Sequence, residues 1–228
     1  MNPRADAVSQ SVADQGFSLV SGVLAKAERG ALINLLGPVN GAGRRGILGL
    51  PQIAKLAYSK RLLNLVQPHL PAQPRPVRGI YFDKSPETNR MVAWHQDLTL
   101  AVCAQVGVPG FGPWSLKDGV PHVQPPIHLL ERMLTIRLHL DDCTEANGAL
   151  KVIPGTHSLG KLSAEAIKTL RNERPATVCC AATGDALLMR PLLLHSSGRS
   201  QNASHRRVVH IEYASFVLPG GLQWHETP

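Results

Sequence analysis

The sequence predicts a mainly β protein, a double-sheet jelly roll flanked by helices. A series of short segments with β-branched or alternating apolar residues follows residue 76, and most helical patterns come before it. The 18 Pro and 20 Gly are typical of many turns. Because the strand-like segments follow one another with few helices between them, they favour packed antiparallel sheets over βαβ units.

The length of the chain limits the number of domains. With 228 residues, of which 43% are hydrophobic, the chain can bury one well-packed core and is short for two. We therefore expect one domain over residues 1–228, with a helical part over about 1–75 and a jelly-roll core over about 76–217. A Pro- and Gly-rich insertion over about 104–126 shows no clear period, and we expect it to form a lid.

The first third of the chain shows helical spacing of apolar residues. One pattern runs from Leu24 to Leu36, where Gly37 and Pro38 supply a stop. A second helix is predicted over residues 60–68, with Ser59 as its N-cap. Between them, GAGRRG lacks the preceding strand and the following Lys-Ser/Thr of a phosphate-binding loop, so we interpret it as an ordinary loop.

The strand-like segments lie in the second and third thirds of the chain. They are VRGIYFD, RMVAWH, MLTIRLHL, ALKVI, ATVCCAA, DALLMR and RRVVHIEYASF. One further helix is predicted over SAEAIKTLRNE, between the fourth and fifth of these segments.

The charge of the chain is strongly positive, but its basic residues are scattered. The formal net charge is +8, and no block of five or more like charges occurs. This distribution predicts a basic surface and no nucleic-acid partner. The N-terminus lacks an apolar signal core and no run of 18 apolar residues occurs, so we expect a soluble, cytoplasmic protein without membrane association. No pattern indicates an oligomeric state.

The segment WHQD places two metal-binding side chains on one face of a strand. Residues i and i+2 of a strand project to the same side, so His95 and Asp97 can offer an imidazole and a carboxylate to one ion. His195, at the end of the apolar run PLLLH, can complete two-His-one-carboxylate ligation. A His-x-Asp triplet alone is common by chance and is also compatible with an ordinary hydrogen-bonded strand histidine.

An arginine follows the third candidate ligand at a distance that suits a hairpin. After His195 come the polar residues SSGRSQNASH, and a strand then opens with two arginines. If the two strands pair, a guanidinium returns close to the metal and can bind the distal carboxylate of a 2-oxo acid through two hydrogen bonds. Arg206 is the preferred candidate and Arg207 the alternative, because a slip of one residue reverses the face.

A set of segments resembles the phytanoyl-CoA dioxygenase family of Fe(II)- and 2-oxoglutarate-dependent oxygenases. They are FDKSPETN, WHQDL, LHLDD, NGALKVIPGTH, GDALLMRP, LLHSSG and RRVVHIEYA, and they span roughly residues 76–216. The resemblance implies a double-stranded β-helix fold, with His95, Asp97 and His195 as iron ligands and Arg206 as the 2-oxoglutarate anchor.

The same resemblance implies further contacts to the cosubstrate. Gln96 and Ser197 occupy positions where such enzymes often contact 2-oxoglutarate. Arg137 stands where the mammalian phytanoyl-CoA enzyme of this family has an aromatic residue, and we include it among the candidate contacts. Lys84 can bind an anion or simply be solvated.

The expected activity follows from these residues and the resemblance. With Fe(II), 2-oxoglutarate and O2, the protein is expected to hydroxylate a small molecule while 2-oxoglutarate is converted to succinate and CO2. Asp97 favours this outcome, because related oxygenases that halogenate typically have a small residue in place of the carboxylate. A nucleic-acid-directed oxidative demethylase and a non-catalytic metal-binding jelly roll are the alternatives.

Overall fold

The computed structural model describes residues 3–39, 41, 43–201 and 204–226. The helices are α1 (Pro3–Asp14), α2 (Lys26–Leu36), α3 (Pro51–Ala57), α4 (Lys60–Val66), α5 (Ile127–Leu130) and α6 (Ala164–Glu173). The strands are β1 (Phe17–Val20), β2 (Arg44–Arg45), β3 (Arg75–Lys84), β4 (Val92–His95), β5 (Leu100–Ala101), β6 (Trp114–Lys117), β7 (Val120–Val123), β8 (Met133–His139), β9 (Leu150–Val152), β10 (Thr177–Cys179), β11 (Ala186–Met189), β12 (His195–Ser197) and β13 (Arg206–Ala214).

The larger sheet has six antiparallel strands in the order β1-β11-β8-β13-β3-β2. One of its faces is apolar, because alternate residues of a strand point to the same side. Val209, Ile211 and Tyr213 of β13 lie on this face and belong to one buried cluster with helix residues such as Leu62 and Val66. The N-terminal helices therefore cover the outside of the sheet.

The smaller sheet has four strands in the order β10-β9-β12-β4. Leu150 and Val152 of this sheet share a buried cluster with Leu187 and Met189 of the larger one. The two sheets thus face each other, with apolar contacts between them. This is the predicted jelly roll, mainly β with flanking helices.

The three helices predicted from the sequence are present. Helix α2 ends before Gly37, which has a positive φ of 62°. Ser59 accepts a hydrogen bond from the backbone of Leu62 at the start of α4, and Ser163 has the same role at the start of α6. Among the described residues, no helix is both long and apolar enough to cross a bilayer.

The sequence analysis missed several short strands. Two of them, β6 and β7, form a hairpin within the insertion over 104–126, and β5, which precedes the insertion, adds a third strand. Asp118 and Gly119 make the turn with φ of 51° and 78°. No strand was predicted in this insertion, although Asp-Gly between two strands is a strong hairpin signal.

The segment GAGRRG, which was interpreted as an ordinary loop, contains a short strand. Arg44 and Arg45 form strand β2 at the edge of the six-stranded sheet, whereas Ala42 lies outside the described residues. In the polar turn after His195, Asn202 and Ala203 lie outside them as well.

Candidate active site

The three predicted metal ligands lie together at the edge of the smaller sheet. His195 of β12 is directly opposite His95 of β4, and Asp97 follows two residues later. The Nε2 atom of His95 is 3.7 Å from Asp97 Oδ1, and that of His195 is 3.8 Å from Asp97 Oδ2. Their ligand atoms all lie within 4.8 Å of one another, and no other such group of His, Cys, Asp or Glu occurs among the described residues.

Backbone carbonyls set the tautomer of both histidines. The Nδ1 atom of His95 is 2.8 Å from the carbonyl oxygen of Ala93, and that of His195 is 2.8 Å from the carbonyl oxygen of Leu193. Since a carbonyl only accepts, each Nδ1 must carry the proton that it donates. Each Nε2 therefore has its lone pair free, as a metal ligand requires.

The protonation states of His195 and Asp97 also suit a cation. Burial lowers the pKa of His195 to about 4, so its imidazole is neutral near pH 7. Burial raises the pKa of Asp97, but the surrounding imidazoles, above all that of His195, hold it below its usual value. The donor set at neutral pH includes the lone pair of His195 and a carboxylate, which can bind a divalent metal without first losing protons.

The ligands open into a cavity of about 380 Å³ between the sheets. Strands β3 and β13 supply one wall of it. Arg206, His210 and Glu212 of β13 line the cavity, as do Arg78 and Lys84 of β3. The two strands pair so that Arg206 is opposite Lys84 and Glu212 is opposite Arg78.

Three cations meet at one end of this cavity, which we call the inner end and define by Lys84, Arg137, Arg206 and Ser197. All four residues are buried. Arg206 donates from Nη1 to the carbonyl oxygen of Gly148 at 2.9 Å. The Nε atoms of Arg206 and Arg137 are buried and have no hydrogen-bond partner in the part of the chain that the structure describes. The inner end therefore offers unused donors to an anion.

Lys84 is part of this cluster and is not a solvated surface lysine. Its ammonium donates to the Ser197 hydroxyl at 2.9 Å and to the carbonyl oxygen of Gly198. Burial, followed by the positive charge of Arg206, lowers the pKa of Lys84 to about 8. A bound carboxylate would compensate this concentration of positive charge.

Gly148 supports the inner end through its backbone. Its carbonyl oxygen accepts hydrogen bonds from Arg206 and, at 3.0 Å, from the Ser197 hydroxyl. Its φ is 78°, and a Cβ at this position would lie 2.5 Å from the carbonyl oxygen of Gly198. Only glycine fits at this position without strain, so the backbone conformation of Gly148 is part of what builds the inner end.

The two candidate arginines of β13 point to opposite sides of the sheet. Arg206 faces the cavity, whereas Arg207 binds Asp141 through Nε at 2.7 Å and Nη2 at 2.6 Å. The guanidinium of Arg207 is already engaged with a carboxylate. This geometry favours Arg206 as the anchor.

Gln96 is held entirely by backbone groups. Its Nε2 donates to the carbonyl oxygens of Gly160 and Leu192 at 2.8 and 2.7 Å, and its Oε1 accepts from the Leu162 amide at 2.8 Å. These bonds fix the segment between the two ligands of WHQD. Gln96 also lines the cavity, and its implied contact to the cosubstrate stays a prediction.

The opposite end of the cavity, the outer end, is defined by Arg45, Arg78, Lys117 and Glu212. Arg78 donates to Glu212 Oε1 at 3.0 Å. Glu212 also lies 3.3 Å from His210 Nε2, and Arg137 Nη1 lies 3.0 Å from His210 Nδ1. Because arginine can only donate, His210 accepts at Nδ1 and donates from Nε2, and this chain of hydrogen bonds joins the two ends.

A model of the phytanoyl-CoA dioxygenase family, described as "Phytanoyl-CoA dioxygenase (PhyH)", matches residues 51–208, which is more than half of the chain. None of the curated proteins matches the sequence. The matched region contains both strands that supply the metal-ligand histidines and the two arginines that open β13.

Several solved structures have the same fold at low sequence identity. AviO1 from Streptomyces viridochromogenes Tue57 is 22% identical with a TM-score of 0.68, covering 95% of this chain and 97% of its own. EctD from S. alaskensis, solved with 2-oxoglutarate and 5-hydroxyectoine, is 18% identical with a TM-score of 0.70, and the coverages are 94% and 76%. For SnoN, a non-heme alpha-ketoglutarate-dependent epimerase from nogalamycin biosynthesis, the identity is 17%, the TM-score 0.69 and the coverages 94% and 84%.

These likenesses confirm the predicted double-stranded β-helix fold. The family model covers β3, β4 and β12, the first three residues of β13 and all three metal ligands. The chain therefore belongs to the phytanoyl-CoA dioxygenase family, and the predicted enzyme class, a 2-oxoglutarate-dependent oxygenase, is confirmed with it.

Proposed function

We propose that the protein oxidises a C–H bond of a small organic molecule, with Fe(II) held by His95, Asp97 and His195 and with 2-oxoglutarate as cosubstrate. One observation carries the proposal: a two-His-one-carboxylate group and a cluster of cations with unused donors line the same cavity. When bound, iron and 2-oxoglutarate supply the activation of O2, with succinate and CO2 as co-products.

The side chains of the metal site hold and orient the ion. All three ligand groups come from neighbouring backbone segments, so they approach the metal from one side and leave the opposite side to the cosubstrate, O2 and substrate. The carbonyl partners of the two Nδ1 atoms prevent the rings from rotating. Asp97 fills the position that a halide needs in halogenating relatives, and this supports hydroxylation.

The inner end binds the distal carboxylate of 2-oxoglutarate. Arg206 has a fixed position through its bond to Gly148 and retains unpaired N–H groups. Lys84 adds a second positive charge, and Ser197 positions its ammonium. Arg137 contributes a third charge, with its guanidinium 5.4 Å from the centre of the Phe82 ring.

We further propose that the helices and the jelly roll form one oxygenase domain over residues 1–228. Helices α1 to α4 share a buried cluster with the six-stranded sheet, which supports one core. The hairpin of β6 and β7 lies beside the cavity, because Lys117 at its end is one of the lining residues. This position supports a role for the 104–126 insertion as a lid that excludes water.

The experiment that tests the proposed function is spectroscopic. Fe(II) and 2-oxoglutarate are added without oxygen, and we expect a visible metal-to-ligand charge-transfer band. His195→Ala should abolish the band, because it removes one of the three ligands. His128→Ala, an exposed histidine of α5, is the matched control and should retain it.

Two results would contradict the proposal. One is the absence of the band in the unaltered protein, and the other is an unchanged band in His195→Ala. On admission of oxygen, release of succinate distinguishes an oxygenase from a jelly roll that binds metal without turnover.

A further inference from the structure

We propose that the outer end of the cavity binds an anionic group of the substrate, a carboxylate or a phosphate, on the ammonium of Lys117. The substrate class would then be small organic anions. This inference rests on the proposed function, because it assumes that the inner end is occupied by 2-oxoglutarate.

The backbone pairs that define the two ends of the cavity lie well apart along β3 and β13. Arg206 is opposite Lys84 at one end of the β3–β13 pair, and Glu212 is opposite Arg78 six residues further along. At roughly 3.3 Å per residue, this separation is about 20 Å along the strands. A 2-oxoglutarate anchored on Arg206 at the inner end therefore leaves Lys117 at the outer end to a second ligand.

Lys84 and Lys117 have different charged neighbours, and this also distinguishes the two ends of the cavity. Lys84 interacts with Arg206 and Arg137, whereas Lys117 interacts with Arg78, Arg45 and the carboxylates of Asp97 and Glu212. Asp97 thus lies within electrostatic range of Lys117. A group bound to Lys117 would be held beside the metal site, where an oxidation requires it.

The cavity retains positive charge after iron and cosubstrate are counted. Seven of the residues described as lining it are Arg or Lys, and three are Asp or Glu. The two positive charges of Fe(II) and the two negative charges of 2-oxoglutarate cancel. Three of these cations belong to the inner end, and at the outer end Arg45 and Arg78 have carboxylate partners, so Lys117 is the outer-end charge that a substrate with negative charge of its own would balance.

Lys117 is the cation at the outer end that is available to such a group. Arg78 is bonded to Glu212, and Arg45 is bonded to Asp118. The only hydrogen bond of the Lys117 ammonium within the described residues is to the hydroxyl of Thr99, at 3.1 Å. An ammonium has three donors, so two remain for a carboxylate or phosphate.

The test uses simple anions as probes of the Fe(II)- and 2-oxoglutarate-loaded enzyme. With oxygen excluded, 2-oxoglutarate saturating and ionic strength constant, the enzyme is titrated separately with sodium sulfate and sodium acetate. The readout is the perturbation of the charge-transfer band. Sulfate mimics a tetrahedral phosphate group and acetate mimics a carboxylate. The two titrations therefore show which of these anionic groups the site binds.

We expect saturable perturbation by at least one anion. Lys117→Gln should raise its half-saturation concentration by about tenfold or more, the loss that corresponds to one charge-assisted hydrogen bond. Lys117→Arg keeps the charge and should stay within about threefold of the unaltered protein. Lys55→Gln, an exposed lysine of α3, is the matched control and should change nothing.

The inference is overturned if neither anion gives saturable perturbation, or if Lys117→Gln binds the anion as well as the unaltered protein does. Both of these results leave the charge-transfer band itself intact and therefore leave the proposed function standing. Absence of the band before any anion is added would overturn the proposed function, and this inference with it.

Discussion

The inner and outer ends of the cavity both contain cations, but the partners of these cations differ. At the inner end, Lys84 and Arg206 donate to a hydroxyl and to backbone carbonyls, none of which has a full negative charge. At the outer end, Arg78 and Arg45 are bonded to carboxylates. The inner end is also the more deeply buried of the two.

This difference indicates which end is incomplete without a ligand. A buried charge without a counter-charge costs folding free energy, whereas a paired one is largely compensated. The inner end retains three such charges, and the burial of Arg137 lowers its pKa to about 10. The inner end thus suits the dianionic cosubstrate proposed for it, while most charges of the outer end are balanced internally.

The largest effect should come from the inner anchor. Arg206→Gln removes the guanidinium that faces the cavity, and we expect the half-saturation concentration of 2-oxoglutarate to rise about tenfold to a hundredfold. Arg207→Gln, one residue away on the other face, should change it by less than about twofold. The charge-transfer band, titrated with 2-oxoglutarate, measures both. Equal effects of the two substitutions would show that the inner end is not the cosubstrate site.

The fold was predictable because its signals are local. Strand alternation in segments such as 133–140 and 206–216 separates the apolar face that packs against the helices from the polar face that lines the cavity. The metal ligands were predictable for a different reason. The i, i+2 spacing of His95 and Asp97 fixes their common face, and the resemblance supplied the distant His195.

The remainder of the site depends on tertiary structure. The burial of Lys84 results from its pairing opposite Arg206, and nothing in FDK itself distinguishes it from a solvated lysine. The role of Gln96 depends on carbonyls that are distant in the sequence. The β6–β7 hairpin is different, because its Asp-Gly signal was present in the sequence and was overlooked among the many Pro and Gly residues around it.

The binding of 2-oxoglutarate at the inner end should also depend on pH, and this effect is smaller than that of Arg206→Gln. The pKa of Lys84 lies near 8 in the folded protein, and only the charged ammonium attracts a carboxylate. The half-saturation concentration of 2-oxoglutarate should therefore be nearly constant below pH 8 and rise above it, levelling off near the value of Lys84→Gln because the Arg206 anchor remains. Lys84→Gln should bind more weakly below pH 8 and lose this dependence. The same titration at pH 7, 8 and 9 measures it, and a slope that survives the substitution would assign the titration to another group.

The lowered pKa of Lys84 also fixes the direction in which pH changes the free energy of unfolding. The ordinary pKa of a lysine is 10.5, so between pH 8 and 10.5 the unfolded chain holds a proton that folded Lys84 has released. The contribution of this group to the free energy of unfolding therefore rises with pH across that window. Binding of 2-oxoglutarate should reduce this rise, because a carboxylate beside Lys84 favours its charged form.

The smallest effect should come from the ion pair at the outer end. Asp118 is mostly exposed and neutralises Arg45, and exposed pairs contribute little to stability. Asp118→Asn keeps a residue that tolerates the positive φ of this turn and releases Arg45 to act beside Lys117. We expect sulfate or acetate to bind about twofold to threefold more tightly, opposite in sign to Lys117→Gln, with little change in melting temperature. Weaker binding would mean that Asp118 organises the hairpin for its ligand, since removal of a competing carboxylate can only strengthen the attraction of an anion to Arg45.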